Sequence, residues 1–155
     1  MCCAKGIGGG IPIAAILTTT KIAQCMQLGS HGTTFGGNPL ACAVAEQVMT
    51  LLTKKKLLNG VKKKEKIFLK ELKSINEDYK CFSSIRSSGL WIGCKLNVNE
   101  NFNLDTVMKA CYEKGLMILK ANDNTIRLAP SLIIEDHLIL KGLKILKAVI
   151  QEQHP

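Results

Sequence analysis

The placement of glycine constrains this chain more than any other feature. Most of its glycines lie early, at 6, 8, 9 and 10, at 29 and 32, and at 36 and 37. A glycine inside a helix or strand weakens that element by roughly 0.5–1 kcal/mol relative to alanine. These stretches therefore read as loops joining short elements. Near residue 55 the character changes, and helix and strand signals then alternate with few glycines. The chain divides on this pattern into residues 1–55 and 56–155. Its 155 residues suffice for one ordinary domain, or for a small domain plus a piece of another.

In the first part, residues 11–18 form a short apolar, β-branched run that reads as a strand. Thr18 to Thr20 suit the start of a short helix over 21–26. Asn38 is a good N-cap, and Pro39 fits the first helical position, where its missing N–H would go unpaired anyway. They open a helix over 40–52. In the second part, lysines from 54 to 73 alternate with Leu57, Leu58, Val61, Ile67, Phe68, Leu69 and Leu72, an amphipathic helix with a solvated lysine face. Residues 81–85 and 90–96 read as strands broken at Ser87, Ser88 and Gly89. A helix over 104–114 ends at Gly115. Residues 116–119 and 125–128 read as a strand pair around Asn122, Asp123 and Asn124. An amphipathic helix over 135–150 closes a small α+β domain.

Charge and cysteine usage exclude several classes. The net charge is +9, but Arg86 and Arg127 are the only arginines. Arginine is the side chain best suited to bidentate phosphate and base contacts, so a nucleic-acid partner is not expected. No apolar run approaches the roughly 20 residues needed to span a bilayer, and glycines at 8 to 10 interrupt any signal-peptide core. A soluble, cytoplasmic protein with no membrane partner is expected. Cys2 and Cys3 are adjacent, and Cys25, Cys42, Cys81, Cys94 and Cys111 form no CxxC pair; His31, His137 and His154 do not cluster with them in sequence. That spacing suits reduced, buried thiols rather than a metal site.

Two segments carry candidate chemistry. In Ala4-Lys5-Gly6-Ile7-Gly8-Gly9-Gly10-Ile11-Pro12, a ligand can approach Lys5 closely because its glycine neighbours have no Cβ. An amine of depressed pKa is a competent Schiff-base nucleophile. The pattern by itself also fits a surface lysine. In Gly29-Ser30-His31-Gly32-Thr33-Thr34-Phe35-Gly36-Gly37-Asn38-Pro39, two hydroxyls flanked by glycines precede a capped helix, an arrangement that favours an anion. An ordinary loop, with threonines serving turns and caps, fits the same residues. His31 fits a loop histidine equally.

Together these segments resemble the class III aminotransferases of pyridoxal-phosphate (PLP) fold type I, and within them the acetylornithine/succinyldiaminopimelate branch. The resemblance continues through Ser84-Ile85-Arg86, Gly89-Leu90, Ile92-Gly93 and Ile126-Arg127-Leu128-Ala129-Pro130-Ser131-Leu132, and covers essentially the whole chain. It implies an α/β fold: the trailing part of the large PLP-binding domain over 1–55, then the α+β carboxy-terminal small domain over 56–155. Lys5 matches the lysine that holds PLP covalently and shuttles the proton. Thr34 matches the threonine that binds the cofactor phosphate across a homodimer interface, and Thr33 the adjacent position that contacts substrate. Arg127 matches the arginine that takes a substrate carboxylate. Without the resemblance, a structural ion pair would be the ordinary reading of Arg127.

The implied activity moves the δ-amino group of N2-acetylornithine to 2-oxoglutarate, with succinyldiaminopimelate a further substrate. The family's amino-terminal portion supplies a glycine-rich phosphate loop, a ring stacked on the cofactor, an aspartate for the pyridine nitrogen and another substrate arginine. The chain thus corresponds to a carboxy-terminal fragment, expected to be inactive alone and to leave the apolar 11–17 segment uncovered. Met1-Cys2-Cys3 departs from the small, apolar residues usual before the lysine, and Ser87 stands where the family usually has glycine. The alternatives are a non-catalytic remnant keeping the small domain and dimer surface, and a class III enzyme of ornithine or 4-aminobutyrate type.

Overall fold

The computed structural model describes residues 1–98 and 102–153 and divides into two compact units, Met1–Lys55 and Lys56–Pro155. In the first, β1 (Cys2–Cys3) pairs antiparallel with β2 (Ala15–Ile16), in register Cys2↔Ile16 and Cys3↔Ala15. A 3-10 turn, Lys5–Gly8, lies between them. The strand expected over 11–18 is thus confined to two residues. Gly9 and Gly10 take φ of 56° and 105°, which turns the backbone out of extended geometry, and Pro12 has no N–H to give a ladder. Ile16 and Leu17 are exposed, whereas Ile11 and Ile13 are half-buried. The short helix is α1 (Thr20–Ala23), briefer than expected, with Thr19 at its N-cap making no side-chain cap bond. Helix α2 (Pro39–Leu52) starts as its sequence dictates: the Ala41 N–H donates to Asn38 Oδ1 at 2.9 Å, with Pro39 in the first turn.

The second unit opens within the first turn of α3 (Lys55–Tyr79), 25 residues long. It outruns its lysine stretch because Phe68, Leu72 and Ile75 keep one apolar stripe buried. Lys80 ends it at φ 51°, and Asn76 Oδ1 receives the Phe82 N–H at 2.7 Å, leading the chain into the sheet. Strands β3 (Phe82–Ser88), β4 (Trp91–Leu96), β5 (Leu119–Ala121) and β6 (Thr125–Leu128) form an antiparallel sheet of order β3-β4-β6-β5.

Two strand boundaries depart from expectation. Ser87 and Ser88 remain in β3 because the turn is tight, with Ser88 paired to Trp91 and Gly89 at φ 60°. Glu65 of α3 anchors it, accepting from Ser87 Oγ at 2.6 Å and from the Gly89 N–H at 3.1 Å. The strand expected over 116–119 begins only at Leu119. Helix α4 (Leu104–Glu113) ends with Gly115 at φ 81° and the Leu116 N–H bonded to the Cys111 carbonyl at 2.8 Å. That helix stop uses the N–H a strand would need.

Helix α5 (Asp136–Gln153) completes the unit. Ile92, Cys94, Leu96, Ile126 and Leu128 join buried residues of α3, α4 and α5 in one cluster. The period-2 alternation leaves Trp91, Gly93, Lys95, Thr125 and Arg127 on the sheet's other face. No helix of the described residues is long and apolar enough to cross a membrane.

Candidate functional site

Lys5 sits where extended backbone breaks into the 3-10 turn. Ala4 is extended, and Lys5 itself takes φ 56°, a left-handed conformation costing a non-glycine residue about 1–2 kcal/mol. The glycines that follow do two different things. A Cβ on Gly8 would lie 2.9 Å from Ile13 Cγ2, and one on Gly9 3.0 Å from Val48 Cγ2 of α2. These two let the turn close onto Ile13 and α2. Gly6 and Gly10 face open space. The Lys5 side chain is exposed, and among the described residues its amine has no hydrogen-bond or ion-pair partner.

Thr33 and Thr34 lie in the loop before α2, with residues 34–37 forming a turn. The Gly36 N–H donates to the Thr33 carbonyl at 3.3 Å, and a Cβ on Gly36 would overlap the Thr33 hydroxyl. The Asn38 amide donates to the Phe35 carbonyl at 2.9 Å while its oxygen caps α2, so one side chain fixes both ends of the approach. Both threonines are exposed, and neither hydroxyl is hydrogen-bonded among the described residues. His31 is exposed in the same loop. No group of three or more His, Cys, Asp or Glu suited to a metal occurs among the described residues, and the cysteines are free; His154 lies outside them.

Arg127 belongs to the second unit. It stands on β6 opposite Gly93 of β4, on the sheet face turned away from the core. Arg127 lines a groove of about 350 Å³ whose lining also includes Arg86, Lys95, Ser84, Ser87 and Thr125 and, among the described residues, no acidic one. Among the described residues Arg127 makes no ion pair, and its buried Nε has no hydrogen-bond partner. The structural ion pair is therefore not what holds it. Trp91, passed over in reading the sequence, puts its ring centroid 5.3 Å from Arg127 Cζ. Its signal was the two-residue spacing of Trp91, Gly93 and Lys95 along one strand face. An apolar cavity of about 240 Å³ is lined by Phe68, Leu116, Ile139 and Leu143 among others, and Arg127 is the one charged residue of its lining among the described residues.

The chemistry available is therefore a free amine at a strained turn, free hydroxyls before a helix, and an unpaired guanidinium in an acid-free groove. Comparisons with known proteins bear on how these are used. The family model described as aminotransferase class-III matches residues 1–150. Over 141 residues the chain is 48% identical to the acetylornithine/succinyldiaminopimelate aminotransferase of Buchnera aphidicola, covering 91% of this chain and 35% of that protein. Over 149 residues it is 48% identical to the succinylornithine transaminase of Yersinia enterocolitica, covering 96% and 36%. The acetylornithine aminotransferase structure from Elizabethkingia anophelis matches with a TM-score of 0.83 at 32% identity, over 97% of this chain and 38% of that one. The chain thus spans only 35% and 36% of the length of these two relatives.

Proposed function

This chain belongs to the class III aminotransferase family, and on that premise we propose that it forms the carboxy-terminal share of an enzyme transferring the δ-amino group of N2-acetylornithine to 2-oxoglutarate. Its first unit is then the trailing part of the large domain and its second the small domain. The observation that carries the reading is Lys5, an unpaired amine held at a left-handed turn in the segment that resembles the family's PLP lysine.

The residues fit PLP, the family's cofactor, in two of its parts. Lys5 offers a free primary amine for its carbonyl carbon. Thr34 offers an unpaired hydroxyl among glycines for its phosphate. For the ring nitrogen the first unit offers little: Glu46 is its only acidic residue. When bound, PLP supplies the electron sink that lets the amino-bearing carbon of substrate lose a proton.

This chain's own contribution follows from its side chains. Lys5 Nζ would hold the cofactor covalently, and as a free amine it would accept the proton lost from the substrate carbon. Thr34 holds the phosphate of the neighbouring subunit's site in a homodimer, and Thr33 lies beside the substrate. Arg127 grips a substrate carboxylate through two parallel N–H···O bonds, a geometry that its planar fork presets.

In the intact enzyme carrying this sequence, borohydride reduction traps PLP on the peptide containing Lys5. Lys5→Ala abolishes turnover, and Lys21→Ala, on α1, leaves it within about twofold. Label confined to another lysine overturns the assignment. In the 155-residue chain alone, label spreads over several lysines. One observation favours a second reading, a remnant that keeps the small domain without catalysis: apart from Ala41, every buried apolar side chain among the described residues lies in the second unit. Selective labelling of Lys5 in the short chain would exclude it.

A further inference from the structure

Three cations, Arg86, Lys95 and Arg127, line the groove on the outer sheet face, and among the described residues no carboxylate lines it or pairs with them. Like charges lining one groove repel one another, and a long arginine side chain loses several torsions' freedom by staying in one place. Something else must keep Arg127 over the sheet. The attractive side-chain contact at its guanidinium is the ring of Trp91, 5.3 Å away.

The backbone explains how they meet. Trp91 begins β4 immediately after the turn that Glu65 ties to α3. Two residues on, Gly93 faces Arg127 across the ladder and contributes no side chain to that face. A ring packed on a guanidinium uses the cation's flat face and consumes none of its N–H donors, which lie in the plane. A carboxylate partner would have consumed them. Trp91 is 61% exposed, so one face of the indole remains available at the groove.

We propose that Trp91 is a positioning residue for Arg127: the indole holds the guanidinium plane over the outer sheet face with its donor edge turned to the groove, where an incoming carboxylate meets a preset fork. The proposal rests on the reading of Arg127 as the carboxylate binder. It adds a residue that the family resemblance did not single out.

The chain has two arginines, so arginine-labelled protein gives two Nε–Hε signals, and Arg86 serves as internal reference for Arg127. In the wild-type 155-residue chain the Arg127 signal carries a ring-current displacement that Trp91→Leu removes and Trp91→Phe keeps in part. Titrated with glutarate as a simple dicarboxylate, Trp91→Leu weakens binding roughly three- to tenfold, and Trp91→Phe stays within about twofold. Unchanged amide signals at Ile126 and Leu128 certify the sheet, and if Trp91→Leu disturbs them, Trp91→Met takes its place. An Arg127 signal and glutarate affinity indifferent to the loss of the ring sink the proposal while leaving Arg127 its role. Glutarate binding that survives Arg127→Ala unchanged, or none in the wild type, removes the carboxylate reading and the proposal with it.

Discussion

The two units handle apolar surface in opposite ways. The first leaves Ile16, Leu17, Ile22, Leu28, Phe35 and Leu40 exposed and buries one apolar side chain, Ala41. The second gathers residues from three helices and three strands into one cluster that includes Phe68, Leu72, Ile92, Phe102, Ile126 and Leu146. Glycine explains much of the contrast. Gly8 and Gly9 permit close backbone approach, and Gly36 leaves room for the Thr33 hydroxyl, but none of them brings apolar area. At about 25 cal/mol per Å² buried, a segment with so little buried apolar surface has little to set against its chain entropy. The candidate amine and hydroxyls thus stand on the less stabilised unit, and the candidate arginine on the well-packed one.

Thiol chemistry should separate the units most widely. Cys2, Cys25 and Cys42 are exposed in the first unit, while Cys81, Cys94 and Cys111 are buried in the second. Burial pushes those three thiols from 9.0 up to about 11, about 12 and about 11, with the neighbouring Cys81 adding to the rise at Cys94. At neutral pH, iodoacetamide should modify the exposed three at least about a thousandfold faster, since the buried ones must both open and ionise. Because the folded values are raised, the stability linked to these thiols is fully present below 9.0 and is lost as pH rises through about 11 to 12. Urea unfolding of the second unit should therefore shift to lower denaturant in that window. Mass spectrometry finding Cys94 labelled as fast as Cys42 would erase the contrast.

Side-chain truncation should give the next largest difference. Leu72→Ala or Ile126→Ala removes a side chain with no exposed surface and should destabilise the second unit by about 2–5 kcal/mol in urea. Ile16→Ala, at a residue 59% exposed, should change stability by no more than about 0.5 kcal/mol. Comparable losses would mean that the first unit has packing its exposed side chains do not reveal.

How legible each region was in the sequence follows the same division. The helices of the second unit could be read because Phe68, Leu72 and Ile75 repeat at helical spacing, and β4 and β6 because buried and outward residues alternate. The Leu119 strand start was missed because Leu116 satisfies a helix end first, which no periodicity reports. In the first unit the apolar run from 11 to 18 looked like a strand, yet the turn at Gly9 and Gly10 and the missing Pro12 N–H left two residues paired. At the candidate site, the family resemblance picked out Lys5, Thr33, Thr34 and Arg127. The Arg127 partner was not legible, because a tryptophan against an arginine depends on strand register rather than on any local motif.

The smallest effect is also the most discriminating, because it makes one chemical change twice. Asn38 caps α2 by accepting the Ala41 N–H at 2.9 Å, and Asn103 caps α4 by accepting those of Asp105 and Thr106 at 3.1 Å. Replacing either by alanine removes about 1 kcal/mol of helix stability. Helix α4 buries Leu104, Val107 and Cys111 in the shared cluster, so its loss should pass to the whole unit and lower its Tm by roughly 4–8 °C. Helix α2 buries only Ala41. Asn38→Ala should instead fray the first turn of α2, speeding amide exchange there about fivefold, while the main thermal transition stays in place. Calorimetry and hydrogen exchange on the two variants decide between these outcomes. Equal falls in Tm would mean that the units unfold as one, and that the sparse burial in the first unit does not make it separately labile.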